Sequence, residues 1–161
     1  MKINLQTFFS VDDYDIRPAG NDDVNGLVDI INKAYSYQDV AKGEPRTNTE
    51  HLKKRMSETN FFVIQHFANV VGCVYLEPKD SALHFGLLTL SPEYRGKEIA
   101  KHIISAIEAY AKSNNYTSLE LDYMSLAPWL KKYYEKYGFS ETGEIQHWGA
   151  IELVRMKKLL R

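Results

Sequence analysis

The sequence predicts an α/β (α+β) fold, with a central mixed β-sheet flanked by helices. Two observations predict it. Apolar residues recur with a period of 3.6 in some segments and alternate with a period of two in others. Turn-forming residues separate these segments at short intervals. The length of 161 residues is typical of one domain, so we expect a single domain over residues 1–161.

The chain is predicted to begin with a strand followed by two helices. Tyr14–Pro18 is a short extended segment that ends at a proline. Asn21 or Asp22 is suited to cap the first helix, whose apolar residues follow helical spacing as far as Tyr35. A polar loop, residues 36–46, comes next. Thr47 and Glu50, which lie three residues apart as in a capping box, then predict the start of the second helix.

Three β-rich runs follow the second helix. Phe61–Phe67 and Val70–Glu77 are separated by Ala68 and Asn69, and asparagine tolerates the left-handed conformation that a tight hairpin requires. The third run, Leu83–Leu90, follows a turn. We therefore expect an antiparallel hairpin and a third strand beside it.

The second half of the chain alternates helices and strands. Ile99–Lys112 has an apolar stripe and a polar face, and Ser118–Met124 alternates as a strand does. With Leu83–Leu90 they predict a right-handed parallel crossover. Pro128 and Gly138 bracket a short helix. The last two strands are predicted at Phe139–Ile145 and Ile151–Leu159. The resulting order is β-α-α-β-β-β-α-β-α-β-β.

Composition argues against several classes of function. The net charge is −1, so the basic excess typical of nucleic-acid-binding proteins is absent. The five histidines lack the short paired spacings of a zinc site, so we expect no metal. No apolar run reaches the roughly 20 residues that span a bilayer, and no signal peptide is evident, so we expect no membrane partner and a cytoplasmic location. Cys73, the single cysteine, lies in an apolar run and is expected to be buried.

The segment from Leu87 to Ala100 carries the strongest functional signal. It reads as a buried strand, a turn, a basic loop containing Gly96, and the start of a helix. Helix N-termini present unpaired N–H groups and a partial positive charge, so such a loop suits an anion such as a pyrophosphate. Arg95 and Lys97 add positive charge. Taken alone this signal is weak, because many strand-to-helix turns contain such residues only for solubility.

Two motifs resemble the GCN5-related N-acetyltransferase (GNAT) family. The run Ser91-Pro-Glu-Tyr-Arg-Gly-Lys-Glu-Ile-Ala100 is similar to the family's coenzyme A signature, which is Gln or Arg, two residues, Gly, one residue, then Gly or Ala. The run Tyr134-Glu-Lys-Tyr-Gly-Phe139 is similar to the family's Tyr-Glu-Lys-x-Gly-Phe segment. The resemblance covers roughly residues 14–159, and both motifs occur in the expected order. It implies a GNAT-like fold and transfer of an acetyl group from acetyl-coenzyme A to an amine.

The resemblance also implies roles for individual residues. Backbone groups of Leu88, Thr89 and Leu90 would hold the pantetheine and the acyl carbonyl. The loop amides would bind the pyrophosphate, and they belong to Arg95, Gly96, Lys97, Glu98, Ile99 and Ala100. Tyr134 matches a tyrosine that family members often place near the coenzyme A sulfur. His84 stands where some members have a glutamate that helps to deprotonate the amine.

Elementary chemistry constrains the two catalytic candidates. A lysine-like amine has a pKa near 10.4 and must lose a proton before it attacks a thioester. An imidazole of ordinary pKa, about 6.5, suits His84 to this role, with Glu77 or a water chain as alternatives and a histidine without function as the simpler interpretation. A tyrosine hydroxyl is too weak an acid to protonate a thiolate outright. Tyr134 is therefore expected to donate a hydrogen bond to sulfur, unless it only packs in the core.

Glu98 departs from the family pattern, because it stands where a glycine is usual. Its charge favours a helix N-terminus but would repel a pyrophosphate unless the side chain turns outward. The sequence thus leaves open a non-catalytic acyl-coenzyme A-binding module, or a purely structural domain, beside the enzyme.

The acceptor class is the least defined part of the sequence-based hypothesis. We expect a small-molecule or peptide amine, selected by the two N-terminal helices and the loop of residues 36–46. Asp39, Glu44 and Asp122 are candidates to contact a cationic amine. The terminal strands also suggest a possible homodimer.

Overall fold

Seven strands form one mixed sheet, and helices cover both of its faces. The computed structural model describes residues 2–161. The strands are β1 (Tyr14–Pro18), β2 (Asn60–His66), β3 (Asn69–Lys79), β4 (Ala82–Leu90), β5 (Ser118–Met124), β6 (Ser140–Trp148) and β7 (Ile151–Leu159). The helices are α1 (Val24–Ala34), α2 (Asp39–Lys42), α3 (Thr49–Glu58), α4 (Ile99–Ser113) and α5 (Trp129–Glu135).

The sheet has the order β1-β2-β3-β4-β5-β7-β6. The first four strands form an antiparallel meander, and β5, β7 and β6 form an antiparallel group. The two groups meet where β4 and β5 run parallel, joined by α4. The prediction of a central mixed sheet flanked by helices is thereby confirmed.

Each face of the sheet has its own apolar layer. The stripe predicted on α4, including Ile103, Ile104 and Ile107, is buried in one layer together with Phe85 and Tyr134. The other layer joins α1 and α3 to the opposite face. It contains Val24, Leu27, Ile31, Leu52, Phe61, Val63, Cys73, Tyr75 and Leu87. Because both faces are covered, side chains from either side of β4 are withdrawn from water.

The second long helix begins one residue later than the sequence suggested. Asn48, not Thr47, is its N-cap, and the Asn48 side-chain oxygen accepts a hydrogen bond from the His51 amide at 2.9 Å. Thr47 is instead tied to α1, since its amide donates to the Asn32 side-chain oxygen at 2.9 Å. The pairing with α1 is a tertiary contact that local capping rules do not include.

Two turns also differ from the sequence-based expectation. In the β2–β3 hairpin the left-handed residue is Phe67 (φ 54°), whereas Asn69 already pairs with His66 in the sheet. The loop of residues 36–46 contains a short 3₁₀ turn followed by α2. The strand predicted at Phe139–Ile145 is β6, shifted towards Trp148.

Neither a membrane-crossing helix nor a metal-ligand cluster occurs in residues 2–161. None of the described helices is both long enough and apolar enough to span a bilayer. No three histidine, cysteine, aspartate or glutamate side chains of the described chain are grouped as ligands of one ion would be.

Candidate active site

The site lies where β4 and β5 separate. Their parallel pairing extends only over Ala82–His84 on β4 and Ser118–Glu120 on β5. Beyond His84, the edge of β4 that faces β5 has no strand partner among residues 2–161. Backbone polar groups along this edge are therefore free to bind an extended ligand.

A β-bulge changes the direction of β4 where the strand separates from β5. Between two regular pairs, Leu87 and Leu88 on β4 stand opposite the single residue Val74 on β3. Leu87 has a positive φ of 50°, which is uncommon for a residue with a branched side chain. Its carbonyl accepts hydrogen bonds from the Thr89 hydroxyl at 2.9 Å and the Cys73 thiol at 3.4 Å. These contacts hold a strained conformation of the kind that often occurs at functional sites.

β4 leads directly into the basic loop at the start of α4. A single 3₁₀ turn, Pro92–Tyr94, separates them. Within residues 2–161 the amides of residues 96–101 donate no backbone hydrogen bond, because they lie at the helix N-terminus. The space where a Gly96 side chain would lie is open, and Gly96 has a φ of 74°. The loop and the first helical turn thus contain a row of amide donors without a backbone acceptor in residues 2–161.

Arg95 has a role in holding this loop. Its Nε donates a hydrogen bond to the Leu90 carbonyl at 3.1 Å, although the residue is otherwise exposed. This contact fixes the loop to the end of β4. It also occupies a carbonyl that the family resemblance had assigned to ligand binding.

Glu98 adopts a left-handed backbone conformation, which glycine adopts more readily than other residues. It is the N-cap of α4, with φ 62° and ψ 14° in the left-handed region. Its side chain is 70% exposed and lies 3.9 Å from the Lys101 ammonium. The carboxylate therefore turns towards solvent and a neighbouring cation, and the amides at the start of α4 are left uncovered.

An inner cavity of about 230 Å³ lies beside the gap between β4 and β5. It brings together Tyr134, His84 and Leu88, three residues that the sequence singled out. Residues 95–100 do not line it, and they lie instead at the other end of the bulged strand. The predicted residues thus form two groups joined by residues 88–90 of β4.

His84 is buried, with only 4% of its surface exposed. Burial, reinforced by Lys79 and Arg155 and opposed by Asp122 and Glu77, lowers the pKa of His84 to about 4. This corrects the expectation of an ordinary imidazole pKa. A central-strand position next to two cations disfavours the imidazolium form. His84 is therefore neutral at pH 7, and its buried Nδ1 has no hydrogen-bond partner within residues 2–161.

Tyr134 lies on α5 with its ring packed edge-on against Phe85 and Phe139, at centroid distances of 6.3 and 5.9 Å. Burial raises the pKa of Tyr134 above its ordinary value, so its hydroxyl keeps its proton. The helix ends at Glu135, and in the turn that follows Gly138 has a φ of 93° and the Phe139 amide donates a hydrogen bond to the Tyr134 carbonyl. The Tyr-Glu-Lys-x-Gly-Phe motif thus fixes a buried phenol at the cavity wall.

Sequence reasoning did not identify the polar residues that complete the cavity wall. Tyr35, Tyr37 and Arg46 come from the end of α1 and the loop after it, and Arg55 comes from α3. These segments had been expected to select the substrate, but no local pattern marked the individual side chains. Tertiary packing alone brings them together.

The carboxylates proposed to receive a cationic amine are mostly engaged elsewhere. Asp122 lines the inner cavity but accepts hydrogen bonds from Arg155 at 2.7 and 3.3 Å. The Glu44 carboxylate lies 3.8 Å from the Lys42 ammonium. Asp39 accepts a hydrogen bond from the Gln38 side-chain amide at 2.9 Å, and it does not line the inner cavity. The expectation of an anionic acceptor site is therefore not supported by these residues.

Comparison with known proteins identifies the family. A family model of the acetyltransferase (GNAT) domain matches residues 31–160, which is most of the chain. The chain belongs to the GNAT acetyltransferase family. The match includes the bulged strand, the basic loop and Tyr134, and it supports acyl transfer as the general chemistry of the fold.

Individual relatives are distant. The chain is 26% identical over 113 residues to an N-acetylaspartate synthetase of Danio rerio, a match that covers 69% of this chain and 40% of that protein. The chain therefore spans less than half the length of this curated relative. Among solved structures, PaiA N-acetyltransferase of Thermoplasma acidophilum in complex with coenzyme A has a TM-score of 0.71 at 16% identity, covering 91% of this chain and 98% of that one. The ribosomal-protein-S18-alanine N-acetyltransferase of Escherichia coli has a TM-score of 0.73 at 12% identity, covering 91% and 94%. At such identities the likeness concerns the fold.

Proposed function

We propose that this protein transfers an acetyl group from acetyl-coenzyme A to a primary amine, by direct attack while both substrates are bound. The observation that carries the proposal is the continuity of β4. The same strand lines the inner cavity at Leu88, loses its partner strand, and ends at the row of free amides before α4. A long ligand with an anionic end and a reactive end matches this arrangement.

The residues at the start of α4 fit the pyrophosphate of coenzyme A. The free amides of residues 96–101, the open space at Gly96 and the cations Lys97 and Lys101 suit an anion. Glu98 points away towards Lys101 and leaves the amides accessible. The solved PaiA structure, which holds coenzyme A, supports this assignment by likeness of fold.

Coenzyme A supplies the acetyl group as a thioester, and the chain's residues govern the protons. In the reaction the amine nitrogen bonds to the carbonyl carbon, the carbon–sulfur bond breaks, the amine loses a proton and the sulfur gains one. Tyr134 keeps its proton and donates a hydrogen bond as negative charge grows on sulfur. The hydrogen bond from Tyr134 is therefore expected to stabilise the transition state.

His84 fits only part of the role expected of a base. An ammonium of pKa near 10.4 is about six pKa units above an imidazole of about 4, so direct transfer would be uphill by roughly 9 kcal/mol. His84 is better suited to accept a hydrogen bond from an amine that is already neutral. Deprotonation then falls to water or to Glu77, which also lines the cavity.

The test is a screen of amines with acetyl-coenzyme A, which measures both thiol release and the acetylated product by mass spectrometry. Amine-dependent thiol release with a product heavier by one acetyl group would support the proposal. Binding of acetyl-coenzyme A without turnover of any amine, seen as a rise in melting temperature alone, would instead favour the non-catalytic binding module. No binding at millimolar acetyl-coenzyme A would refute both. A cytoplasmic location and a homodimer remain predictions.

A further inference from the structure

Unpaired polar atoms are concentrated at the inner cavity. Within residues 2–161, four buried side-chain polar atoms have no hydrogen-bond partner, and they belong to Tyr37, Gln38, Arg46 and His84. Three of these residues line the inner cavity, and the fourth adjoins Tyr37 in sequence. An unpaired buried polar atom is destabilising, so three at one cavity indicate a place for a polar ligand.

Arg46 carries the strongest of these signals. Its Nε is fully enclosed, and no carboxylate of the described chain lies within ion-pair distance of its guanidinium. The guanidinium lies over the rings of Trp148 and Tyr35, at 4.6 and 5.5 Å from their centroids. These aromatic faces fix its plane, and the side chain is only partly buried and lines the inner cavity.

Arg55 supplies a second cation beside the first. It lies over the Tyr75 ring at 4.9 Å and likewise has no carboxylate within ion-pair distance in residues 2–161. Both arginines line the inner cavity and also an adjoining outer cavity of about 520 Å³. They therefore stand at the boundary between the two cavities.

The acidic residues of the inner cavity do not neutralise this pair. Asp122 is held by Arg155, and Glu77 lies 3.4 Å from Lys79. Among the residues that line both cavities, the charged side chains are the two arginines, and the acidic residues of the outer cavity, such as Glu58, do not line the inner one. Two guanidinium groups of this kind match a carboxylate, whose oxygens accept paired N–H donors.

We infer that Arg46 and Arg55 bind a carboxylate of the acceptor, so that the acceptor is a small amine that also carries a carboxylate, such as an amino acid. The inference rests on the proposed function and adds the substrate class. Tyr37, whose buried hydroxyl has no hydrogen-bond partner within residues 2–161, lines the same cavity. With the carboxylate at the cavity boundary, the amine extends inward towards His84 and Tyr134.

The first experiment compares matched amines on the unaltered protein. Each amino acid, including alanine, aspartate and tyrosine, is assayed beside its amide, and tyrosine is also assayed beside tyramine. Converting a carboxylate to an amide lowers the pKa of the neighbouring amine, so intrinsic reactivity favours the amide. A kcat/KM at least about tenfold higher for the acids supports the inference, because hydrogen bonds to a charged group contribute about 1.5–3 kcal/mol.

The second experiment uses Arg46→Gln and Arg55→Gln, with Arg161→Gln as the control because it removes the same charge from an exposed position. Each cavity variant should raise KM for the preferred acid about 10- to 100-fold and leave KM for the matched amide nearly unchanged. Arg161→Gln should change neither. If Arg46→Gln does not fold, Arg55→Gln and the comparison of matched amines still test whether the acceptor's carboxylate is bound.

Several outcomes would overturn the inference while leaving the proposed function intact. Amides or tyramine acetylated as well as the acids would do so, as would unchanged KM values in both cavity variants. Preference for an aminoalkyl phosphate over the matching acid, or for peptides over free amino acids, would also contradict it. Acetylation of no amine at all would instead be a failure of the proposed function.

Discussion

Replacing Glu98 by glycine should separate backbone strain from charge at the start of α4. Glu98 holds a left-handed conformation, φ 62°, which glycine adopts without penalty. Its carboxylate is 70% exposed and lies 3.9 Å from Lys101. Glu98→Gly removes both the strain and the charge. Glu98→Gln removes only the charge and serves as the matched control.

The expected effect of Glu98→Gly on stability is small, because the contributions oppose one another. Relief of the side-chain strain at this left-handed backbone position gains roughly 1–2 kcal/mol. The greater freedom of glycine in the unfolded chain costs about 0.4–1 kcal/mol, and losing a carboxylate at a helix N-terminus costs about 0.3–1 kcal/mol. The exposed pair with Lys101 adds little. The free energy of unfolding of Glu98→Gly should therefore lie within about 1 kcal/mol of the parent value. That of Glu98→Gln should be lower than the parent value by about 0.3–1 kcal/mol.

The effect of both variants on coenzyme A affinity should be a modest gain. A charge pair at about 4 Å in water is worth about 1 kcal/mol, which bounds the gain near fivefold. Because the repulsion is screened by salt, the gain should shrink as ionic strength rises. Calorimetric titration of acetyl-coenzyme A at low and high salt measures this. Unchanged or weaker affinity in both variants would refute the reasoning that Glu98 opposes the pyrophosphate.

Three further predictions concern single side chains. Tyr134→Phe should lower turnover by up to about 100-fold with little change in cofactor affinity, and full turnover in a folded variant would reduce Tyr134 to a packing residue. Since the folded pKa of His84 is about 4 and the unfolded pKa about 6.5, the unfolded state binds the extra proton first as pH falls. Denaturant titrations should therefore show stability falling by up to about 3 kcal/mol between pH 6.5 and pH 4, and His84→Gln should lack this component. Equal pH dependence in parent and variant would mean that His84 titrates normally. Asn48→Ala should destabilise the protein by about 1 kcal/mol, because it removes the cap on the His51 amide, whereas Thr47→Ala keeps that cap. Loss of stability in Thr47→Ala alone would contradict the observed cap.

The fold could be predicted from the sequence because local signals agreed with the tertiary structure. The stripe on α4 and the alternation in β5 each mark one buried face, and the structure buries those faces. The local signals gave a wrong prediction where a residue distant in sequence makes a contact in the folded protein. Thr47 has the chemistry of a cap, but Asn32 engages its backbone, and Asn48 takes the role.

The candidate site was predictable only where a motif is local. The loop from Arg95 to Ala100 and the position of Tyr134 follow from contiguous residues. The bulge at Leu87 has no sequence signature, since its carbonyl accepts hydrogen bonds from Thr89 and from Cys73, which lies on the neighbouring strand. Likewise, the pKa of His84 depends on its burial and on charges such as Lys79 and Arg155 in the folded protein, which the sequence position alone does not reveal.

The most direct test of the central claim is the initial velocity of thiol release measured while acetyl-coenzyme A and an accepted amine are both varied. Direct attack in a ternary complex predicts intersecting reciprocal plots, with the acetyl group found only on the amine. Cys73 is not available as a carrier, because it is fully buried and burial raises the pKa of its thiol to about 12. Parallel plots together with an acetylated protein would contradict the account.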